Sequence, residues 1–271
     1  MAEQAFFDLD KIKQIAKKAG DEIIKYYHEG FSVEMKEGNQ PLTEADLASN
    51  NILQKELSQF GFPILSEESQ DDKIRLKSEF VWIIDPLDGT SDFIQKTDEF
   101  CVMIGLVKEN KVILGVVYEP VIKRFYYAKK GDGAFFEQDG RVRKIEVSAE
   151  DDFRKMKILV SRNHLKDAEL KLTEKLNLSK IPQGSAGLKI VKVASGEGEI
   201  YINSSNKTSE WDTCAGVAIL NEAGGKITDM QGNEILYNQN NPCHQEGFVV
   251  SNGLRHQEIV DELREIIAEN K

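Results

Sequence analysis

Two helical periodicities open the chain. From Asp10 onward, apolar residues recur about every 3.6 positions, and Gly30 follows as a stop signal. The second pattern begins at Thr43, a good N-cap residue, with Asp46 three positions later as in a capping box. Gly61 ends this second pattern. The residues expected to face inward are Ile12, Ile15, Ala16, Ala19, Ile23 and Tyr27 in the first helix, and Leu47, Leu53, Leu57 and Phe60 in the second.

The rest of the first half is typical of β-structure. FPILS and VWIID are short apolar runs, and FCVMIGLVK and KVILGVVYE flank Glu109-Asn110 as the two strands of a hairpin would. RFYYAKK and GAFFEQDGRVRKIEV continue the same up-and-down pattern. The first half is therefore predicted to be helices packed on an antiparallel sheet.

The second half alternates between the two periods. The strand-like runs KILVS, EIYINSS, KITDM and GFVVS alternate with helical stretches near residues 164–176, 210–225 and 255–269. The Gly-rich segment QGSAGLKIVKVASG, residues 183–196, looks like a loop that opens a further helix. Strands that alternate with helices predict a mostly parallel sheet, so the fold class is α+β to α/β. The charged stretch SAEDDFRK lies between the two patterns. It predicts a division into residues 1–150 and 151–271.

Composition narrows the functional classes. The 271 residues include 35 Lys and Arg and 46 Asp and Glu, a net charge of −11, which disfavours a nucleic-acid-binding surface. A small anion can still bind where metals reverse the local field. The sequence has neither a secretory signal nor an apolar run near the roughly 18–20 residues of a membrane span, so a cytoplasmic protein is expected. Its three widely spaced cysteines predict reduced thiols, not a zinc site.

The sharpest chemical feature is WIIDPLDGTSDF, residues 82–93. An apolar strand ends at Asp85, and Asp88 follows three residues later with the Leu87 carbonyl between them. Oxygen ligands of this kind suit hard cations such as Mg²⁺ or Mn²⁺. Gly89 permits close backbone approach, and the N–H groups of Gly89 and Thr90 at a helix start can hold an anion. The segment predicts a metal and phosphate site.

Each acidic motif also has an ordinary structural explanation. Asp-Pro and Asp-Gly form turns, Glu67 and Glu68 after the strand ILS can be a solvated turn, and Asp212 can be a helix N-cap. An EF-hand is excluded, because the spacing lacks alternating acids and the closing Glu. The three acidic motifs indicate a function more clearly when they are considered together than when each is considered alone.

In this order, Glu67-Glu68-Ser69, Asp85-Pro86-Leu87-Asp88-Gly89-Thr90 and Trp211-Asp212-Thr213-Cys214-Ala215-Gly216 resemble the inositol-monophosphatase-like superfamily of metal-dependent phosphatases. The resemblance implies a layered α-β-α-β-α sandwich and two or three Mg²⁺ ions, with Mn²⁺ as an alternative. It implies one ion on Glu67, Asp85 and the Leu87 carbonyl, and another on Asp85, Asp88 and Asp212. Glu67 and Thr90 would orient the attacking water, supported by Asp46.

Three segments of the second half resemble the 3′(2′),5′-bisphosphate nucleotidases of that superfamily, including the bacterial CysQ group. They contain S-R-N-H, G-S-A-G-L-K and S-E-W-D-T. The group pattern implies that Ser185 and Lys189 lie near a nucleotide's second phosphate, although GSAGLK carries one residue more than the usual bacterial motif. The other expected substrate-binding residues are Gly89, Thr90, Ser91, Arg162, His164 and Glu210.

The expected substrate is adenosine 3′,5′-bisphosphate, converted to AMP and phosphate. Inositol phosphatases typically carry an acid seven positions before the W-D aspartate, whereas this chain has Ser205, which favours a nucleotide. Inositol-1-phosphate or another sugar phosphate is the alternative, and a catalytically inactive nucleotide sensor or structural protein is a third possibility. The resemblance also implies inhibition by Li⁺ and makes a homodimer a candidate assembly.

Overall fold

A computed structural model describes residues 8–36, 41–162 and 166–269 of the chain. Its helices are α1 Leu9–Glu29, α2 Glu44–Leu57, α3 Thr90–Gln95, α4 Asp167–Lys175, α5 Ala186–Ala194, α6 Cys214–Glu222 and α7 His256–Glu269. The strands of the first half are β1 Val33–Met35, β2 Pro41–Thr43, β3 Ile64–Ser66, β4 Phe80–Asp88, β5 Cys101–Lys108, β6 Lys111–Glu119, β7 Arg124–Lys129, β8 Gly133–Gln138 and β9 Arg141–Ile145. Those of the second half are β10 Lys157–Val160, β11 Ser179–Pro182, β12 Ile200–Asn203, β13 Lys226–Asp229 and β14 Phe248–Ser251.

The described elements stack in five layers. Helices α1 and α2 cover one face of a seven-stranded sheet, and α5 and α6 cover the other. A five-stranded sheet follows, and α4 and α7 close its outer face. The predicted α-β-α-β-α sandwich is confirmed. The chain passes from the first sheet to the second between Ile145 and Lys157.

The first sheet has the order β3-β4-β5-β6-β7-β8-β9. Only β3 and β4 pair in parallel, and the other neighbours are antiparallel. Glu109 and Asn110 both have positive φ, of 47° and 66°, at the turn between β5 and β6. Two such residues give the turn the twist that an antiparallel pair needs, so the predicted hairpin is confirmed.

The second sheet corrects one expectation. In the order β11-β10-β12-β14-β13, the β10 pairings are parallel, but β14 pairs antiparallel with both β12 and β13. The sheet is therefore mixed and not mostly parallel. The segment from β13 to β14 contains no described helix, so it has no crossover that could bring β14 back in the parallel direction.

The two N-terminal helices show how well the apolar periodicity predicts which side chains are buried. Helix α1 buries all six predicted apolar residues, and Gly30 caps its end with φ 108°. Helix α2 has the predicted capping box, but Leu47 is 43% exposed and not inward-facing. Leu47 lies two residues from the buried Ala45 and Ser49, about 200° around the helix, which places it on the opposite face.

Helix α6 lies unusually close to the first sheet. A Cβ atom added at Gly105 of β5 would overlap Cys214 Sγ, and one at Gly115 of β6 would overlap the Ala215 carbonyl oxygen and lie 2.8 Å from Ala218 Cβ. Paired glycines opposite each other in β5 and β6 therefore let the helix backbone rest directly on the sheet.

We expect Gly115→Ala to destabilise the protein by about 1–3 kcal/mol, because the new methyl group meets backbone that cannot move aside easily. The melting temperature should fall by about 2 °C or more for each kcal/mol of lost stability. Gly198→Ala is the control, since its Cβ would meet only Leu159 side-chain atoms at 3.3 and 3.4 Å and a carbonyl oxygen at 3.5 Å. Equal melting temperatures for the two variants would contradict the close approach of α6.

Candidate metal centre and substrate cleft

Three carboxylates converge where β4 ends. Asp85 and Asp88 lie on that strand, whose register with β5 shifts between them. Asp212 ends a 3₁₀ turn, Glu210–Asp212, immediately before α6. One oxygen from each of these three side chains lies within 4.8 Å of the others. This spacing is short enough for a single ion to be shared, and it unites the two halves of the chain at one point.

Glu67 joins the cluster through strand pairing. β3 and β4 are parallel, with Ser66 opposite Ile84. The next residues, Glu67 and Asp85, therefore lie side by side at the same edge of the sheet. Lys36, which sequence analysis did not single out, contacts both neighbouring acids. Its ammonium lies 3.1 Å from Glu67 and 2.5 Å from Glu68. No motif signals Lys36, because it follows a three-residue strand far away in sequence.

Burial and like charge dominate the electrostatics of this cluster. Burial, followed by repulsion from Glu67 and Asp88, raises the pKa of Asp85 well above its ordinary value. Burial and the Asp88 charge do the same to the pKa of Asp212. Burial also raises the pKa of Glu67, although Lys36 opposes that effect. The folded chain therefore holds negative charges together at a cost that a bound cation would relieve.

Asp46 connects the capping box of α2 to the site. One of its oxygens accepts hydrogen bonds from the Thr43 N–H (2.7 Å) and hydroxyl (2.5 Å), and the other is 3.0 Å from the Thr90 hydroxyl. The same hydroxyl is 3.2 Å from the Leu87 carbonyl oxygen. Thr90 opens α3 after Gly89, whose φ of 96° suits glycine and whose absent Cβ would lie 2.9 Å from the Glu99 carbonyl oxygen.

Asp88 is held at the N-terminus of α5. Its carboxylate accepts the N–H groups of Ala186 (3.2 Å) and Gly187 (2.6 Å) and the hydroxyl of Ser185. The free N–H groups at a helix start favour negative charge. Ser185, predicted to lie near a second phosphate, thus contacts a candidate metal ligand in this structure and also caps α5 through Leu188 N–H.

Lys189 lies one turn further along α5 and is 4% exposed. Its ammonium donates to the carbonyl oxygens of Ser185 (2.7 Å) and Gln183 (3.3 Å) and lies 5.0 Å from the centre of the Tyr201 ring. Burial lowers the pKa of Lys189. Lys189 and Ser185 therefore both hold the loop that binds Asp88, while they also line the cleft.

Glu210 is turned away from the cleft, contrary to its predicted substrate-binding role. Its carboxylate accepts the N–H groups of Asn238 (2.6 Å) and Gln239 (2.8 Å) and is fully enclosed. The buried Arg75 donates to the Asn238 side chain at 2.7 Å and pairs with Asp71 at 2.8 Å. Peptide N–H groups are strong partners for a buried carboxylate, so Glu210 anchors the turn that presents Asp212.

The cluster lines a cleft of about 370 Å³. Most of the predicted site residues line it: Glu67, Asp85, Leu87, Asp88, Gly89, Thr90, Ser91, Arg162, Ser185, Lys189 and Asp212. Asp46 lies behind Thr90, and His164 falls outside the described residues. Lys166 and Lys207 also line the cleft but were not predicted. They flank the S-R-N-H and S-E-W-D-T segments, and only that proximity could have indicated them.

The chain is similar in sequence to curated bacterial proteins. The chain is 36% identical over 249 residues to the 3′(2′),5′-bisphosphate nucleotidase CysQ of Escherichia coli K12, covering 90% of this chain and 99% of the relative. It is 34% identical over 248 residues to the CysQ of Salmonella typhimurium, with the same coverage of both chains.

Solved structures give the same result. A CysQ from Bacteroides thetaiotaomicron, described as a bacterial member of the inositol monophosphatase family, superposes with a TM-score of 0.77 at 30% identity, covering 91% of this chain and 98% of that one. An inositol monophosphatase from Thermotoga maritima gives 0.82 at 29% identity, covering 96% and 98%. The model of the inositol monophosphatase family matches residues 8–268. This chain therefore belongs to the inositol monophosphatase family.

Proposed function

We propose that this chain is a Mg²⁺-dependent 3′(2′),5′-bisphosphate nucleotidase that converts adenosine 3′,5′-bisphosphate to AMP and phosphate. The observation that carries the proposal is the carboxylate cluster of Asp85, Asp88 and Asp212 in the wall of a cleft large enough for a nucleotide. The relatives named CysQ, which this chain matches over about nine-tenths of its length, support the substrate class.

The donor set fits a hard divalent cation. The ligand atoms offered are carboxylate oxygens with the Leu87 carbonyl beside them, and oxygen-only sets suit Mg²⁺ or Mn²⁺. Cys101 Sγ lies 3.8 Å from an Asp88 oxygen, and burial raises the pKa of its thiol well above the ordinary value. Glu67, Asp85, Asp88, Asp212 and the Leu87 carbonyl would hold the ions.

Side chains and backbone N–H groups of the chain would orient the attacking water and the scissile phosphate. Bound Mg²⁺ supplies charge to stabilise the phosphoryl oxygens and to acidify a water molecule. The Thr90 hydroxyl directs its proton toward Asp46 or the Leu87 carbonyl, which leaves its lone pairs free to accept a hydrogen bond from the attacking water. Glu67 can accept the second water proton. The N–H groups at the start of α3 face the position expected for the scissile phosphate.

Nucleotide recognition is favoured over inositol phosphate by one position in the cleft. Ser205 lines the cleft where the inositol phosphatases are expected to carry an acid, and its hydroxyl donates to Asn203 at 2.7 Å. A hydroxyl cannot bind a pair of sugar hydroxyls as a carboxylate does, and it adds no negative charge near a second phosphate.

Phosphate release from a substrate panel with Mg²⁺ tests the proposed function. We expect kcat/KM for adenosine 3′,5′-bisphosphate to exceed that for inositol-1-phosphate and fructose-1,6-bisphosphate by at least about 10-fold, which corresponds to about 1.4 kcal/mol of selective transition-state binding. The sulfated nucleotide 3′-phosphoadenosine 5′-phosphosulfate belongs in the same panel. Preference for inositol-1-phosphate would replace the nucleotidase assignment with the inositol phosphatase alternative.

Mg²⁺ should stabilise the protein more at higher pH. In the metal-free chain the raised pKa values of Asp85 and Asp212 mean that the folded state resists ionisation, so stability falls as pH rises from about 4 through those raised values. A bound cation removes that penalty. The increase in melting temperature between EDTA and Mg²⁺ should therefore be larger near about pH 8 than near about pH 5.

Two variants control the pH experiment. Asp212→Asn should flatten the pH dependence of the Mg²⁺ effect, because one buried carboxylate is gone. Asp139→Asn, at an exposed turn with φ 52°, removes the same charge away from the cleft and should keep the wild-type trend. A Mg²⁺ effect of equal size at both pH values would contradict the assignment of these buried carboxylates as ligands.

Thr90→Val separates water orientation from metal binding. The variant keeps the branched shape but loses the hydroxyl, so kcat should fall by about 10²–10⁴ while Mg²⁺ still raises the melting temperature. Asp88→Asn is the matched comparison, and it should lower kcat by at least about 10³ and reduce the Mg²⁺ stabilisation as well. If Thr90→Val abolished Mg²⁺ stabilisation, its hydroxyl would belong to the metal site instead.

A further inference from the structure

A nucleoside bisphosphate carries a second phosphate that the carboxylate cluster cannot bind. This inference therefore rests on the proposed function and asks which residues hold that second group. In a chain with a net charge of −11, the second phosphate needs local cations. The basic side chains that line the cleft are Arg162, Lys166, Lys189 and Lys207.

Two of these four cations already have protein partners. Arg162 pairs with Glu99 at 2.5 Å, and Glu99 also accepts the Gly184 N–H at 2.6 Å. Lys189 is enclosed and donates to two carbonyl oxygens of the loop that carries Ser185. Moving either side chain onto a phosphate would break contacts that support the walls of the cleft. Their geometry suits a positioning role.

Lys166 and Lys207 differ from that pair. Both are exposed, and within the described ranges neither ammonium lies within ion-pair distance of a carboxylate. The neighbouring Thr208 lines the same cleft, and its hydroxyl oxygen is buried with no hydrogen-bond partner among the described residues. A buried hydroxyl without a partner usually indicates a missing ligand or water molecule. Two ammonium groups and one hydroxyl without partners among the described residues thus line the same cleft as the carboxylate cluster.

A single buried carboxylate fixes the two segments relative to each other. One oxygen of Glu169 accepts the Lys166 N–H at 3.1 Å, and the other accepts the N–H and hydroxyl of Ser204 at 3.0 and 2.9 Å. Glu169 is 5% exposed, so these hydrogen bonds are shielded from water. The start of α4 and the loop after β12 are thereby joined, and these two segments bring Lys166 and Lys207 to the cleft.

We propose that Lys166, Lys207 and Thr208 form the subsite for the second phosphate, the one that is not hydrolysed. The two ammonium groups supply the charge, and the Thr208 hydroxyl supplies a hydrogen bond. Glu169 is a positioning residue that sets their spacing. Ser185 and Lys189, the residues expected from the motif, hold the loop that binds Asp88.

Lysine substitutions assayed on two substrates test the subsite. Lys166→Met and Lys207→Met should each raise KM for adenosine 3′,5′-bisphosphate by about 10-fold, and the double variant by about 100-fold, because each loses one charge-assisted contact. KM for 3′-AMP, which keeps the 3′-phosphate but lacks the 5′-phosphate, should change by less than about 3-fold. Lys180→Met, on an exposed position of β11 outside the cleft, should leave both substrates unaffected.

Lys189→Met is the contrasting variant. Because Lys189 supports the loop that binds Asp88, its loss should impair both substrates and lower kcat as well as affinity. Thr208→Val should follow the pattern of the lysine variants, with a KM increase of a few-fold limited to the bisphosphate.

The possible outcomes separate the two proposals. If the wild-type chain releases no phosphate from the bisphosphate, the proposed nucleotidase function fails and the subsite fails with it. If the wild type is active but Lys166→Met and Lys207→Met leave KM for the bisphosphate unchanged, only the subsite is wrong. Equal losses on both substrates in those variants would also overturn it, since that would assign the two lysines to the fold or the metal centre.

Discussion

The repulsion between Glu67, Asp85, Asp88 and Asp212 is the constraint on which the rest of the structure depends. Like charges this close and this deeply buried oppose folding unless backbone geometry forces them together. Three structural devices supply these carboxylates: the end of a parallel strand pair for Glu67, a strand with a register shift for Asp85 and Asp88, and a 3₁₀ turn anchored from behind for Asp212. Much of the surrounding hydrogen bonding exists to keep these carboxylates from separating.

Favourable contacts partly offset this repulsion at Glu67, Asp88 and Asp212. Lys36 lies against Glu67, the N-terminus of α5 faces Asp88, and the Ser209 N–H donates to Asp212 at 2.5 Å. Each contact offsets some repulsion and leaves oxygen lone pairs available. This balance keeps the metal-free chain folded while leaving a strong driving force for cation binding.

Local signals made much of this fold predictable. The α1 periodicity, the Thr43 capping box and the Glu109-Asn110 hairpin depend on neighbouring residues, and all were correct. The antiparallel addition of β14, the outward position of Leu47 and the orientation of Glu210 depend on partners remote in sequence. Motif order likewise predicted that these carboxylates would lie together, since they lie at or near strand and helix ends. Lys36, Lys166 and Lys207 could not be predicted, because lysine is common along the chain. Only the folded structure shows which lysines lie beside the carboxylates or line the cleft.

The glycines of β5 and β6 have a consequence for how such a protein can evolve. At Gly115 the Ala215 carbonyl oxygen of α6 lies against the sheet, at Gly105 the Cys214 side chain and the Ala215 N–H do, and Asp212 lies two residues before that helix begins. The distance between Asp212 and the carboxylates of β4 therefore depends on close contacts that leave no room for a Cβ atom at either glycine. Core residues elsewhere can drift over generations, changing stability gradually, while the gap between these carboxylates keeps its width.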